Sequence, residues 1–163
     1  MMVVSNTGPL IALAKVDKLL LLEQLFSIVY IPPAVHRELL AKPGPEAERL
    51  DLALATFVRV TERPVVSAAI EVVTAQLDHG EQEAVALASL FNALLLMDDR
   101  LGRRAARRLD VQLTGTAGLL IRAVELQLIP DAVAVLEEMR SAGYWLSDEL
   151  LAAVRRTTQD SQG

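Results

Sequence analysis

Two aspartates stand side by side in "LLLMDDRLGRRAARR", where an apolar run ends in Asp98 and Asp99 and five arginines follow at once. Glu38 in "IPPAVHREL", and Glu81 with Glu83 in "LDHGEQEAV", are further acids near the starts of helix-like segments. Asn6 ends the short β-branched run "MVVSN". Carboxylates brought together repel, by roughly 4 kcal/mol for a pair about 4 Å apart at an effective dielectric near 20. Several share a site only when some protonate or when a cation joins them. An oxygen-rich set with no cysteine suits a hard ion, Mg2+ or Mn2+. The chemistry open to such a site is the activation of water against a phosphodiester. Arg100, Arg103, Arg104, Arg107 and Arg108 recur at i, i+3, i+4, i+7 and i+8, which predicts one basic helical face. Guanidinium forks match phosphate, so an acidic pocket beside this ridge has the makings of a nuclease.

Each of these residues also has a plainer explanation. Asp98 and Asp99 sit where a helix cap is wanted. Asp78 and Glu81 are spaced as a capping box, which leaves Glu83 as a first-turn acid favoured by the helix dipole. Glu38 reads equally as a surface helix residue, and Asn6 before Thr-Gly-Pro as turn chemistry. The arginine face reads as solvated charge. Trp145 reads as core or as a partner surface.

The elements that would position these groups alternate. Short apolar runs at "MVVSN", "SIVYI", "FVRVT", "ALLLM" and "VQLTG" predict strands. Helical spacing follows most of them. Asp17 is placed to cap the helix "KLLLLEQLF", and Gly80 to break the long segment that starts at Val66. Three helical segments finish the chain, restarted at Pro130 and Ser147. This order predicts an α/β fold in three layers, a central mostly parallel sheet of four or five strands flanked by helices. Apolar strands without polar alternation fit a sheet covered on both faces. In such a sheet, sites form outside the carboxyl ends of the strands. Asn6 and the Asp98–Asp99 doublet would then share one edge, with Glu38 and Glu81 near it.

The chain has 163 residues, the size of one domain, here residues 1–157 with a frayed tail over 158–163. Cysteine is absent, which favours a reducing, cytoplasmic setting. The longest uncharged apolar run, Ala84 to Met97, is shorter than the roughly 20 residues that span a bilayer, so no membrane association is expected. A net charge of −5 argues against a wholly non-specific grip on nucleic acid.

"VVSNTGPLIALAKV", "IPPAVHREL", "LDHGEQEAVALA", "LLLMDDRLGRRAARRL" and "TGTAGLL" occur in that order between Val3 and Leu128. Together they resemble the PIN-domain family, and within it the small prokaryotic proteins related to VapC-type toxins. The resemblance implies a three-layer PIN-like fold and a Mg2+- or Mn2+-dependent endoribonuclease acting on single-stranded RNA. It also implies a toxin–antitoxin pairing with a small antitoxin protein, and a homodimer. Residue by residue, Glu38 matches the second acid of the family pattern. Glu81 matches the third, with Glu83 the competing alignment. Asp99 matches the fourth, with Asp98 beside it. Asn6 falls where the first acid stands. An amide there still offers an oxygen but no charge, and this implies the alternative of a catalytically weak or inactive PIN-fold protein that binds RNA or a protein partner.

Overall fold

The computed structural model describes residues 1–162. Five short strands form one all-parallel sheet: β1 (Val3–Ser5), β2 (Val29–Ile31), β3 (Val58–Val60), β4 (Leu94–Leu96) and β5 (Leu113–Thr114). Their spatial order is β3-β2-β1-β4-β5. The chain builds outward from β1 through β2 to β3, then returns to the other side of β1 for β4. Strand order therefore reverses between β1 and β4, and a crevice opens at their carboxyl ends at such a switch point. The register brings Ser5 opposite Leu96, and the Asn6 N–H donates to the Leu96 carbonyl at 3.0 Å. Asn6 and the aspartate doublet thus leave the sheet side by side.

Helices cover both faces. They are α1 (Thr7–Lys15), α2 (Leu20–Phe26), α3 (Pro33–Leu40), α4 (Pro45–Thr56), α5 (Ala68–Val73), α6 (His79–Phe91), α7 (Arg100–Arg108), α8 (Thr116–Glu125), α9 (Ala132–Ser141) and α10 (Asp148–Gln162). Side chains alternate across the sheet as pleating requires. Val3, Val29, Ile31 and Leu96 enter a larger core with α1, α2, α8 and α9. Val4, Leu95 and Met97 enter a smaller one with α6 and α7. Leu19, Leu21 and Leu22 are buried in the larger core, whereas Leu20 faces solvent.

Two expectations are corrected. Asp17 does not cap α2; it adopts a left-handed conformation at φ 55°, and the residue preceding the helix is Leu19. The break predicted at Gly80 falls earlier, between Val73 and His79, because Asp78 and Glu81 complete a capping box and start α6 there. Gly80 lies inside the first turn. α10 continues through Gln162; Gly163 lies outside the described residues. Ser147 behaves as predicted, its hydroxyl accepting from the Leu150 N–H at 3.1 Å at the start of α10. No helix among the described residues is long and apolar enough to cross a membrane.

Candidate functional site

The carboxyl edge of the sheet opens into a cavity of about 890 Å³ whose lining includes Asn6, Glu38, Glu81, Asp98, Asp99, Arg100 and Arg103. Four acids converge there from separate places. Glu38 comes from the second turn of α3, Glu81 from the first turn of α6, and Asp98 and Asp99 from the exit of β4.

Each carboxylate is tethered locally. Glu38 Oε2 accepts from the Thr7 hydroxyl at 2.5 Å. Glu81 Oε2 accepts from the Asp78 N–H at 3.1 Å. Asp99 Oδ2 caps α7, accepting from the Gly102 N–H at 2.7 Å. In all three the second oxygen makes no hydrogen bond among the described residues. Capping and site duty are therefore compatible: one oxygen fixes the side chain and the other remains open.

Asp98 is different, because both of its oxygens are taken. Oδ1 accepts from the Thr116 N–H at 2.7 Å. Oδ2 accepts from the Thr116 hydroxyl at 2.5 Å and from the Tyr144 hydroxyl. Burial, and then the neighbouring Asp98 charge, push the Tyr144 phenol well above its ordinary range. It therefore stays protonated and donates. Thr116 and Tyr144 escaped the sequence reading. Thr116 lies in "TGTAGLL", a stretch that enters the sequence analysis only as a motif of the family resemblance. The signal for Tyr144 was faint, a polar aromatic just beyond a glycine after a helix.

Two glycines keep room for acids. A Cβ on Gly80 would overlap Glu38 Oε1 and stand 3.0 Å from the Glu38 carboxyl carbon. A Cβ on Gly115 would stand 2.8 Å from Asp98 Oδ1 and 3.1 Å from Arg103 Nη1. Asn6 is 7% exposed and makes no side-chain cap for α1, so its amide is left to the cavity. Glu81 titrates above the usual glutamate range, first because burial penalises its charge, and also because Asp78, Asp99 and Glu38 surround it with like charge.

Glu83, the competing third acid, does not join them. It is 4% exposed, and its Oε1 accepts from the Ala34 N–H at 3.2 Å. It satisfies the N-terminus of α3 from below, since two residues along a helix turn a side chain to the opposite face.

The five arginines do not act as one stripe. At about 100° per residue they spread over roughly 140° of α7, with Arg103 at one margin. Arg103 is half-buried and donates from Nη1 to the Met97 carbonyl at 2.9 Å, inside the acid cavity. Arg100, Arg104, Arg107 and Arg108 line a separate groove of about 450 Å³. Arg49, Arg122, Arg140 and Arg155 each pair with a carboxylate. None of the five on α7 does so among the described residues, so no carboxylate pairs with their charge, although Arg103 is tied to the Met97 carbonyl.

The donor set of carboxylates and one amide matches a hard divalent cation in chemistry, and the bare flanks at Gly80 and Gly115 keep the acids accessible. Among the described residues, however, no group of three acidic or histidine side chains stands close enough together to hold a metal ion. An ion would have to draw the open oxygens inward.

A search of curated proteins finds no match to this chain. A scan of protein families matches residues 2–160 to a family described as PIN domain. The parallel sheet with helices on both faces, and the acids gathered at its carboxyl edge, agree with that match. The fold is of a nuclease type, and the chain belongs to the PIN-domain family.

Proposed function

We propose that this protein is a Mg2+- or Mn2+-dependent endoribonuclease cleaving single-stranded RNA. The observation that carries the reading is that Glu38, Glu81 and Asp99 each anchor one carboxylate oxygen and leave the other open in one cavity. These three would hold the ion, with the Asn6 amide beside them. When bound, the ion supplies positive charge that polarises water and a phosphodiester oxygen. Asp98 organises the edge, since its three donors tie β4 to α8 and to the segment after α9. Arg103 faces the scissile phosphate, and the arginine groove receives the backbone beyond it.

A toxin role fits the same surface. A small antitoxin that lays arginine or lysine over the open carboxylates would block it.

Asn6 favours a second reading. It supplies no charge, and the acids do not form a ready cage. On this reading the protein binds RNA or a partner and cleaves weakly or not at all. The test is cleavage of a labelled single-stranded RNA in Mn2+ by the wild type, by Asp99→Asn and by Asn6→Asp. The nuclease reading expects cleavage that Asp99→Asn abolishes and Asn6→Asp increases. No cleavage by either the wild type or Asn6→Asp, with RNA still bound, would establish the binding role.

A further inference from the structure

Trp145 is 83% exposed, although tryptophan is one of the more buried residue types on average. It lines the acid cavity together with Arg100 and Arg103. It is also held in place from both sides. Gly143, at φ 99°, ends α9 in a backbone conformation that side-chain-bearing residues rarely adopt. The Tyr144 N–H then returns to the Met139 carbonyl at 3.0 Å, and the Tyr144 hydroxyl donates to Asp98. On the other side Leu146 is buried in the larger core and Ser147 starts α10. The backbone that carries the indole is thus anchored on both sides while the indole itself stays out of the core, one residue from the hydroxyl that grips Asp98.

We infer that Trp145 is a stacking platform for an unpaired base of the nucleic acid whose backbone lies beside the acids. The inference rests on the nucleic-acid reading of the same cavity and names how a single strand is recognised there. Sequence-tolerant binding of single strands combines cationic groups for phosphate with an aromatic face for a base. This cavity holds both, since Arg100 and Arg103 pair with no carboxylate among the described residues. The surrounding acids repel phosphate, so a neutral base is the part of the strand that rests most easily on the indole. A duplex offers no exposed base face, so the platform selects single strands.

The chain has one tryptophan, so its own fluorescence reports on this site. The full chain is titrated, in chelator, with a short oligouridylate and with a length-matched abasic oligomer that keeps the phosphates. Oligouridylate is expected to change the emission and the abasic oligomer to change it little. Measured by anisotropy of labelled oligomers, Trp145→Ala should bind oligouridylate about 5- to 150-fold more weakly, the range for losing one stacked base. Its binding of the abasic oligomer should be unchanged, and Trp145→Phe should stay within a few-fold of wild type. Unchanged oligouridylate binding by Trp145→Ala overturns the inference. Equal weakening for both oligomers also overturns it, because Trp145 then serves the fold and not a base. An emission change with an arginine-rich peptide but none with oligouridylate assigns the surface to a protein partner, with the same result. Binding is read without metal, so Trp145-dependent binding without cleavage would sink the nuclease reading alone. Cleavage with no dependence on Trp145 would sink this inference alone.

Discussion

Alanine at residue 80 should separate folding from chemistry. Gly80 is the second residue of α6 and is buried, and its backbone is not in the left-handed region, so alanine fits the main chain. In a helix interior alanine is favoured over glycine by about 0.8–1 kcal/mol, and by less in the first turn. The obstacle is Glu38, because the new methyl would overlap its Oε1. Glu38 is exposed, so its carboxylate is free to swing into solvent at the loss of the Thr7 hydrogen bond, worth about 0.5–1.5 kcal/mol. The two effects nearly cancel. For a domain of this size 1 kcal/mol moves Tm by roughly 2–4 °C, so thermal unfolding should shift by no more than a few degrees. The site should respond far more. Loss of groups that merely orient a metal ligand costs roughly 10–100-fold in affinity, and a displaced ligand should cost at least that. Mn2+ calorimetry, RNA cleavage and thermal unfolding on Gly80→Ala, with Glu38→Gln as control, measure all three quantities. Unchanged Mn2+ binding and cleavage would refute the placement of Glu38 in the site. A fall in Tm of more than about 10 °C would show that Glu38 is locked where it stands and that the compensation argued here is wrong.

Asp99→Ala should lose both the α7 cap and the open oxygen, lowering stability by about 0.5–2 kcal/mol in urea unfolding. Asp99→Asn should keep most of the stability, because its amide oxygen still accepts from Gly102, yet lose the Mn2+ response; equal stability losses would show that the cap is not at work. Glu81 is raised by burial and by its acidic neighbours, so the folded state holds its proton more tightly than the unfolded chain. Its stabilising contribution is then present in acid and is lost as pH rises through and above the usual glutamate range. Urea midpoints across that window should fall more steeply for wild type than for Glu81→Gln, which keeps the capping-box acceptor; parallel profiles would contradict the raised Glu81. Arg104→Ala and Arg107→Ala should each reduce the salt dependence of single-strand RNA binding, by about 0.7 in the log–log slope per lost phosphate contact. An unchanged slope would mean that the groove does not hold the backbone.

Local physics made much of this protein legible from its residues. The apolar runs around Val3, Val29 and Leu94 form the three inner strands, where a sheet covered on both faces demands apolar residues without polar alternation, whereas the edge strands β3 and β5 carry Arg59 and Thr114. The order of elements implied a parallel sheet, and a parallel sheet puts strand exits on one edge, which placed Asn6 near Asp98 and Asp99. The capping box was readable because it spans four residues. What depended on distant segments was not readable. Whether Glu81 or Glu83 faces the cavity turned on where α3 docks against α6, since the Ala34 N–H claims Glu83. That Asp98 is spent on Thr116 and Tyr144, leaving Asp99 open, needed residues 18 and 46 positions away in the chain. Gly80 looked like a helix breaker because its partner, Glu38, lies on another helix. The arginine spacing set an arc around α7 with Arg103 at one margin, and only packing against the sheet edge turned that margin, with Arg100, toward the cavity and left Arg104, Arg107 and Arg108 on the outer groove. Composition, period and caps are short-range quantities and determined the elements. Which oxygen stays open is a long-range one, and only the tertiary structure decided it.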